Sequence, residues 1–402
     1  MLHGSNREGT SMRKDAFMNA KKKAQETIHA YQQTLIDLSH RIHDHPELGF
    51  AEVQASRWLT EVLSDAGLEV EAGICDLPTA FRARAGHGPF HIAICAEYDA
   101  LPKIGHACGH NLMAAMAAGA GIAAAQVADD LGLTIEVIGT PAEEVGNAGG
   151  KILLLERGAF EGIHAAMLVH PYPMPFDDIG EVTLSSARFD VHYTGKASHA
   201  GAAPEQGINA ADAMTVAQVA IGLLRQQLPS TVRISGIVTE GGEADNIIPS
   251  HTSACYNLRA PTFEELLDLR ARVTRCFEAG ALATGAQFSI VGGDKPYAQM
   301  VHNATMSELY RRNAEALGRI VRQAPKSGGG GTDMGNISQV IPSIQPHIGI
   351  NCLPAANHQP EFAAACVTPE ADKAVLDGAL AMAWTTIDLA QDQTLRDQLM
   401  QK

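Results

Sequence analysis

The 402-residue sequence predicts an α/β protein: a sheet with helices on both faces, and a smaller β-α-β-β-α-β unit inserted into the chain. Three short, continuous apolar runs, at residues 91–96, 134–138 and 165–169, are typical of strands that are buried on both faces. From residue 187 onward, apolar and polar residues alternate instead. This alternation indicates strands that are covered on one side only.

The first third of the chain alternates helices with those apolar runs. Residues 24–43 and 51–66 have helical patterns, and Gly67 ends the second helix. Residues 112–127 are mostly Ala and Gly; this run is short for a membrane span and predicts a buried helix. Residues 1–23 are polar and basic and lack the apolar core of a secretory signal, so we expect the first residues to be loosely held.

The middle of the chain contains strands and helices in the order β-α-β-β-α-β. They are predicted at residues 187–193, 208–227, 232–238, 252–259, 263–282 and 287–291. This order closes into a small open-faced, ferredoxin-like sandwich. We therefore expect an inserted domain at 185–295 and a larger domain made of residues 1–184 and 296–402, with helices at 306–317 and 369–389 in its second part.

Composition and charge narrow the class of protein. Hydrophobic residues make up 46% of the chain and charged residues 19%, which is typical of globular proteins and excludes a fibrous or disordered chain. The formal net charge of −15 argues against partners such as nucleic acid or an anionic membrane. Seven cysteines, an odd number without regular spacing, predict reduced thiols and a cytoplasmic protein.

Five residues that follow the apolar runs could bind a metal ion or activate a water molecule bound to it. Cys108 and His110 lie two positions apart on a Gly-containing loop, so a thiolate and an imidazole could reach one cation, although a loop without metal is about equally compatible. Glu143 and Glu144 would repel each other without a cation. Beside a cation, one carboxylate could bind the metal while the other acts as a base. His170 directly follows the third apolar run.

The position of these residues strengthens the metal interpretation. Three consecutive strands would each place metal-type ligands at their C-terminal ends, where open α/β sheets have their sites. His358 lies far down the chain, and nothing local connects it with the others. Four glycines at 328–331 predict a loop in which the backbone approaches another group closely.

Competing motifs fail on their context. The sequence has no Gly-x-Ser-x-Gly for a serine nucleophile. Gly150-Lys151 lacks the upstream glycine and the following Ser or Thr of a phosphate-binding loop. The pattern Gly119-x-Gly121-x-x-Ala124 lies inside a predicted helix rather than at a strand-to-helix turn, which excludes a dinucleotide fingerprint.

The motifs together resemble the co-catalytic metallopeptidase family that contains aminoacylase and glutamate carboxypeptidase, whose amidohydrolase branch includes hippurate hydrolase and the auxin-conjugate hydrolases. The resemblance runs through HRxHxHPE (40–47), HACGH (106–110), GTPAEE (139–144), SHAG (198–201), NIIP (246–249), GTDMG (331–335) and HQPE (358–361), in family order. It implies a zinc-peptidase-like catalytic domain with a mixed sheet, and an inserted lid or dimerisation domain. The implied reaction is hydrolysis of the amide bond of a small-molecule substrate, a dipeptide or N-acyl amino acid.

The resemblance also implies roles for single residues. The implied ligands of two divalent metal ions, zinc or else manganese or cobalt, are Cys108, His110, Glu144, His170 and His358. Cys108 would bridge the two ions as a thiolate. Glu143 would be the general base, and Asp99 would orient a metal-binding histidine from behind. These catalytic roles rest on the likeness to the family's motifs.

Further implied residues concern the substrate and a second subunit. His199 resembles a family residue that reaches the site of a partner subunit and stabilises the oxyanion there, which implies a homodimer formed through the inserted domain. Asn246 and Arg259 match positions that hold the substrate, through its carboxylate.

Three segments are closer to the dipeptidase-like members, which resemble p-aminobenzoyl-glutamate hydrolase and the β-alanyl-lysine or Xaa-Arg dipeptidases. The segments are AEYDALP (96–102), RAP (259–261) and ALATG (281–285). There are departures from the hippurate-type pattern: Glu97-Tyr98-Asp99 stands in place of Asp-Met-Asp, and Asn111 stands where Asp is common. Neither change removes an implied ligand, but both bear on substrate preference.

Three alternatives stay open at this point. One is hydrolysis of an aryl-amide conjugate such as p-aminobenzoyl-glutamate. The second is a non-catalytic relative that binds a metabolite, which the presence of all the implied ligands and the base disfavours. The third is a structural zinc protein with a closed site, against which Glu143 next to Glu144 suggests an open position.

Overall fold

The computed structural model describes residues 5–146, 148–324 and 330–401. Its helices are α1 Ser5–Asp44, α2 Val53–Asp65, α3 His110–Ala125, α4 Gly150–Glu156, α5 Ala210–Leu224, α6 Phe263–Thr284, α7 Ala304–Ala316, α8 Met334–Ser338, α9 Pro360–Ala365, α10 Pro369–Gln391 and α11 Gln393–Met400. Its strands are β1 Glu69–Ala72, β2 Phe81–Ala85, β3 Phe90–Ala96, β4 Leu133–Gly139, β5 Ala165–Met167, β6 His170–Tyr172, β7 Asp177–Ile179, β8 Ser185–Thr194, β9 Arg233–Glu240, β10 His251–Ala260, β11 Gln287–Gly292, β12 Val321–Gln323, β13 Ser343–Ile344 and β14 His347–Gly349.

The α/β class predicted from the apolar runs is confirmed by a central mixed sheet of order β1-β2-β4-β3-β5-β13. Strands β3, β4, β5 and β13 run parallel, whereas β2 is antiparallel to β4 and β1 to β2. Every residue of β4 and nearly every residue of β3 is buried. Because successive side chains of a strand point to opposite faces, both faces of the sheet are covered.

The covering helices explain the unusual composition of residues 112–127. Helix α3 is buried along almost its whole length, and it packs on β3 and β4 with α1 and α10 above it. Small side chains permit this close approach: a side chain on Gly121 would begin 2.2 Å from Val137 Cγ2. The predicted buried helix is confirmed, and none of the helices in the described residues is long and apolar enough to cross a membrane.

The middle of the chain has the predicted element order, β8-α5-β9-β10-α6-β11. Its sheet is fully antiparallel with the order β11-β8-β10-β9, and α5 and α6 pack on β8 and β10. Alternate residues of β8, including Phe189 and Tyr193, contribute to a hydrophobic core that is separate from the larger one. The limits of an inserted domain at 185–295 stay a prediction.

The structure corrects one prediction and adds a sheet that the sequence did not predict. The first helix begins at Ser5 rather than near residue 24, and Lys21 within it is anchored: its Nζ donates to Asn313 Oδ1 at 2.7 Å and to Asp388 Oδ2 at 2.8 Å. Residues 1–4, the first of those expected to be loose, lie outside the described residues. The unpredicted sheet is a third one, of order β12-β7-β14-β6. Its strands have three residues each, too few to show a periodicity.

Candidate metal centre

The candidate site lies at the carboxyl edge of the central sheet. Strand β3 ends at Ala96, β4 at Gly139 and β5 at Met167, and these strands are neighbours in the order β4-β3-β5. Their C-terminal extensions carry Asp99, Glu143 with Glu144, and His170. Because these neighbouring strands are parallel, their C-terminal extensions leave the sheet at one edge, where the four side chains meet.

Two further ligand candidates reach this edge from a helix start and from a distant loop. His110 is the first residue of α3, and Gly109 before it has φ +79°, with room for no side chain, since a Cβ would lie 2.4 Å from Pro171 Cγ. The backbone N–H of His358 donates to Ala107 O at 2.8 Å, which brings this residue beside Cys108.

The structure brings all five predicted ligand side chains together. One set of donor atoms, all within 4.8 Å of one another, is formed by Cys108, His110 and His170; a second is formed by Cys108, Glu144 and His358. Cys108 Sγ lies 3.3 Å from His170 Nε2, and Glu144 Oε1 lies 3.5 Å from His358 Nε2. Since Cys108 belongs to both sets, the arrangement suits two cations that share one thiolate.

Two buried atoms of this cluster test whether a cation suits it. Among the described residues, His110 Nε2 and Glu144 Oε1 have no hydrogen-bond partner, although both are shielded from water. Unpartnered buried polar atoms are costly, and a cation between them would remove that cost. In the chain alone, burial and the charge of Glu144 raise the pKa of the Cys108 thiol well above its usual range, so a thiolate here needs a positive neighbour.

Asp99 lies behind the cluster, as predicted for an orienting residue. Its Oδ1 accepts a hydrogen bond from His110 Nδ1 at 2.9 Å, and its Oδ2 accepts from the backbone N–H of Glu144 at 2.8 Å. Burial opposes ionisation, but the contacts with His110 outweigh it and lower the pKa of Asp99. The carboxylate therefore fixes two metal-facing residues at once and leaves His110 Nε2 directed at the cluster.

Glu143 lies on a strained turn that a second buried carboxyl supports. The preceding Ala142 has φ +61°, and its N–H donates to Glu52 Oε1 at 2.8 Å. Thr79 Oγ1 donates to the other oxygen of Glu52 at 2.9 Å, and burial raises the pKa of Glu52 to about 7. Burial, followed by the neighbouring carboxylates, also raises the pKa of Glu143 well above its usual range. Glu52 is thus a positioning residue that sequence patterns did not indicate.

A fully buried ion triad adjoins the cluster, and no sequence pattern indicated it. Lys151 Nζ donates to Glu97 Oε1 at 2.5 Å and to Asp333 Oδ1 at 2.6 Å. The other oxygen of Glu97 lies 3.3 Å from His110 Nε2, and Glu97 forms a third potential donor set with His110 and Glu143. In the sequence, Lys151 stands out only as a fragment of a phosphate-binding loop, because its partners lie on distant segments. The triad ties the GTDMG motif to the end of β3.

A cavity of about 520 Å³ opens over the cluster. The end of the cavity next to the candidate metal ligands, called the metal end below, is lined by Glu143, Glu144 and His170. The wall away from it includes Arg259, Gly330 and Gly331. Of the predicted glycine loop, residues 328 and 329 lie outside the described residues. Burial lowers the pKa of Arg259 below its usual value.

Two predicted site residues lie elsewhere. His199 and Asn246 are not among the described residues that line this cavity. They neighbour each other on the inserted unit: His199 forms a β-bridge with Ile247, and the N–H of Ala200 donates to Asn246 O at 2.9 Å. The structure therefore groups these two residues but does not bring them to the cavity of their own chain.

Comparison with known proteins adds three findings. Residues 93–373 match the model of peptidase family M20/M25/M40. The chain is 38% identical over 387 residues to an Xaa-Arg dipeptidase of Mus musculus, covering 92% of this chain and 88% of that protein. It is 30% identical over 279 residues to a subunit of the p-aminobenzoyl-glutamate hydrolase of Escherichia coli, covering 64% of this chain and 57% of that protein.

A solved structure shares the fold. The crystal structure of a Bacillus subtilis protein, a dinuclear metal binding peptidase from the M20 family, superposes on this chain with a TM-score of 0.66 at 24% sequence identity. The alignment covers 90% of this chain and 99% of that one. The overall fold is therefore one already seen in a metal-binding peptidase.

Proposed function

The chain belongs to peptidase family M20/M25/M40, and from this premise we propose that it hydrolyses dipeptides with a basic C-terminal residue, using two divalent metal ions, zinc or else manganese or cobalt. That it is a metal-dependent hydrolase of a dipeptide or N-acyl amino acid follows from the family and from its dipeptidase relatives. One observation carries the proposal: two donor sets share Cys108, and the carboxylate of Glu143, which belongs to neither of them, lies next to Glu144.

The residues of the site divide the work of amide hydrolysis. Divalent metal ions held by the five ligands would polarise the substrate carbonyl and lower the pKa of a water molecule. Glu143 takes a proton from the attacking water on its carboxylate and returns it to the leaving nitrogen. Asp99 holds His110 in the tautomer whose Nε2 faces the metal. Glu52 and Tyr297, whose hydroxyl donates to Glu143 O at 2.6 Å, fix the turn that carries the base.

The substrate is bound at the other end of the cavity. Two arginines, Arg188 and Arg259, line the cavity, and we assign the carboxylate of the C-terminal residue to Arg259. The likeness to the Xaa-Arg dipeptidase extends over most of both chains, whereas the likeness to p-aminobenzoyl-glutamate hydrolase covers 57% of that subunit. The dipeptide is therefore the favoured substrate, and the aryl-amide conjugate is the competitor to test.

The inserted unit supports a homodimer. Strand β9 is an edge strand, paired only with β10 among the described residues, and Ile237 and Val238 on it are exposed. An exposed apolar edge favours pairing with a second copy. This arrangement gives a reason for the position of His199 and Asn246: each would act in the cavity of the partner subunit, where His199 stabilises the oxyanion. A cytoplasmic location stays a prediction.

Hydrolysis of a substrate panel tests the proposed function. The purified protein is stripped of metal with a chelator, reloaded with zinc, manganese or cobalt, and assayed with Ala-Arg, Ala-Lys, N-acetyl amino acids and p-aminobenzoyl-glutamate. We expect metal-dependent cleavage that is fastest for the two basic dipeptides. Fastest cleavage of p-aminobenzoyl-glutamate would replace the proposed substrate, and a failure to bind metal would refute the proposal.

Mixing two inactive variants tests the shared site. His199→Ala and Glu143→Gln subunits are unfolded together and refolded so that mixed dimers form. If His199 acts across the dimer, one of the two sites in each mixed dimer is complete, and about a quarter of the wild-type activity returns. If activity stays at the level of the separate variants, His199 does not act in the partner's cavity.

A further inference from the structure

The cavity contains one carboxylate that the hydrolytic machinery does not use. Among the described lining residues, Glu143 and Glu144 belong to the metal end, and Glu181 is the remaining acidic side chain. Glu181 lies in the segment between β7 and β8, and its side chain is 26% exposed. It is open enough to meet a ligand and shielded enough for a charge to matter.

A neighbouring histidine holds Glu181 in place. His347 Nε2 lies 3.1 Å from Glu181 Oε2, and His347 Nδ1 lies 3.0 Å from Asp178 Oδ1. The imidazole is also stacked on Tyr172, with ring centroids 5.0 Å apart. Of these three groups, Glu181 and His347 line the cavity, whereas Asp178 is buried. Glu181 is therefore the carboxylate of the group that a ligand in the cavity can reach.

Two glycines separate this carboxylate from the guanidinium of Arg259, one of the two arginines that line the cavity. A Cβ built on Gly330 would lie 3.7 Å from Glu181 Oε1, and one built on Gly331 would lie 3.8 Å from Arg259 Nη1. Adjacent Cα atoms are about 3.8 Å apart, so the acidic and the basic group flank one short, side-chain-free stretch of backbone. A ligand over this stretch meets a negative group on one side and a positive group on the other.

We propose that Glu181 determines the specificity of the cavity: its Oε1 accepts hydrogen bonds from the guanidinium or ammonium of the substrate's C-terminal residue, while Arg259 binds that residue's carboxylate. The inference rests on the proposed function and adds the residue that selects a cationic side chain. Oε2 remains with His347, so the carboxylate is oriented before the substrate arrives. A glutamate side chain, as in p-aminobenzoyl-glutamate, would be repelled at the same position.

Arginine and citrulline form the probe pair, because citrulline has nearly the shape of arginine without its charge. The kcat/KM ratio of Ala-Arg over Ala-citrulline is measured for the metal-loaded wild type, Glu181→Gln, Glu181→Asp and Glu278→Gln. Gln keeps an oxygen for His347 but presents an amide in place of the second oxygen. Glu278, exposed on α6, is the matched control. Binding of free L-arginine and L-citrulline is measured by calorimetry on the same proteins.

A charge-assisted hydrogen bond predicts a wild-type preference for arginine of roughly 10–100-fold. We expect the ratio to fall toward one in Glu181→Gln, to be partly kept in Glu181→Asp, and to be unchanged in Glu278→Gln. An undiminished ratio in a folded Glu181→Gln variant, or no preference in the wild type, overturns the inference. If no dipeptide is cleaved, the proposed function fails separately, and the arginine-over-citrulline binding ratio still decides the role of Glu181.

Discussion

Replacing Lys151 by Met should destabilise the protein strongly, because the ammonium is shared by two carboxylates in the interior. The side chains of Lys151, Glu97 and Asp333 are at most 2% exposed, and the ion-pair distances are 2.5 and 2.6 Å. Removing one partner of a buried ion pair leaves uncompensated charge and costs about 3–5 kcal/mol. For 402 residues, at an unfolding entropy of about 2.1 cal/mol/K per residue, the melting temperature should fall by about 4–6 °C.

Differential scanning calorimetry of the metal-free protein measures this effect without stabilisation by bound metal. Lys295→Met is the matched control, because Lys295 forms a partly exposed pair with Glu156 and its loss should cost at most about 1 kcal/mol. Adding Glu97→Gln and Asp333→Asn to Lys151→Met removes the orphaned charges, so most of the lost stability should return. A Lys151→Met protein that melts like the Lys295→Met control would refute the reasoning.

Three further predictions concern the groups around the metal cluster. Burial raises the pKa of Glu52 from its usual 4.5 to about 7, so its contribution to stability is full below pH 4.5 and is lost as the pH rises through 7. At about pH 8, the free energy of unfolding of Glu52→Gln should therefore exceed that of the wild type by up to about 3 kcal/mol, and the variant should melt at a higher temperature. At about pH 5 the difference should be smaller. Equal differences at both pH values would contradict this. Asp99→Asn should weaken metal binding by about 10–100-fold in competition with a chromophoric chelator, and unchanged affinity would exclude the orienting role. Gly109→Ala should destabilise more than Gly285→Ala, since both have positive φ but only Gly109 has a neighbour in the way, at 2.4 Å; equal melting temperatures would show that the contact relaxes freely.

Much of the site follows from features that act over short stretches of sequence. The apolar runs that became β3, β4 and β5 could be recognised as buried strands, and their C-terminal ends then had to share an edge. This was enough to expect Glu143, Glu144 and His170 near one another. The helix beginning at His110 was equally visible as an Ala- and Gly-rich run.

The rest depends on contacts between distant segments. His358 reaches the site through a backbone bond to Ala107, and no local pattern encodes that return. The roles of Lys151, Glu181 and His347 depend on ion pairs with residues elsewhere in the chain, which the local sequence does not indicate. The sheet β12-β7-β14-β6 could not be predicted for the same reason, because its short strands are stabilised by tertiary pairing rather than by their own periodicity.

The most direct test of the central claim is a comparison of Glu143→Gln with the wild type in metal content and in hydrolysis of Ala-Arg. Glutamine keeps the size of the side chain but cannot take a proton from water, and none of the five metal ligands is changed. The variant should bind as much metal as the wild type, with kcat lower by about 10²–10⁴-fold. Near-wild-type kcat with the same metal content would show that Glu143 is not the base, and metal loss would show that it is a ligand instead.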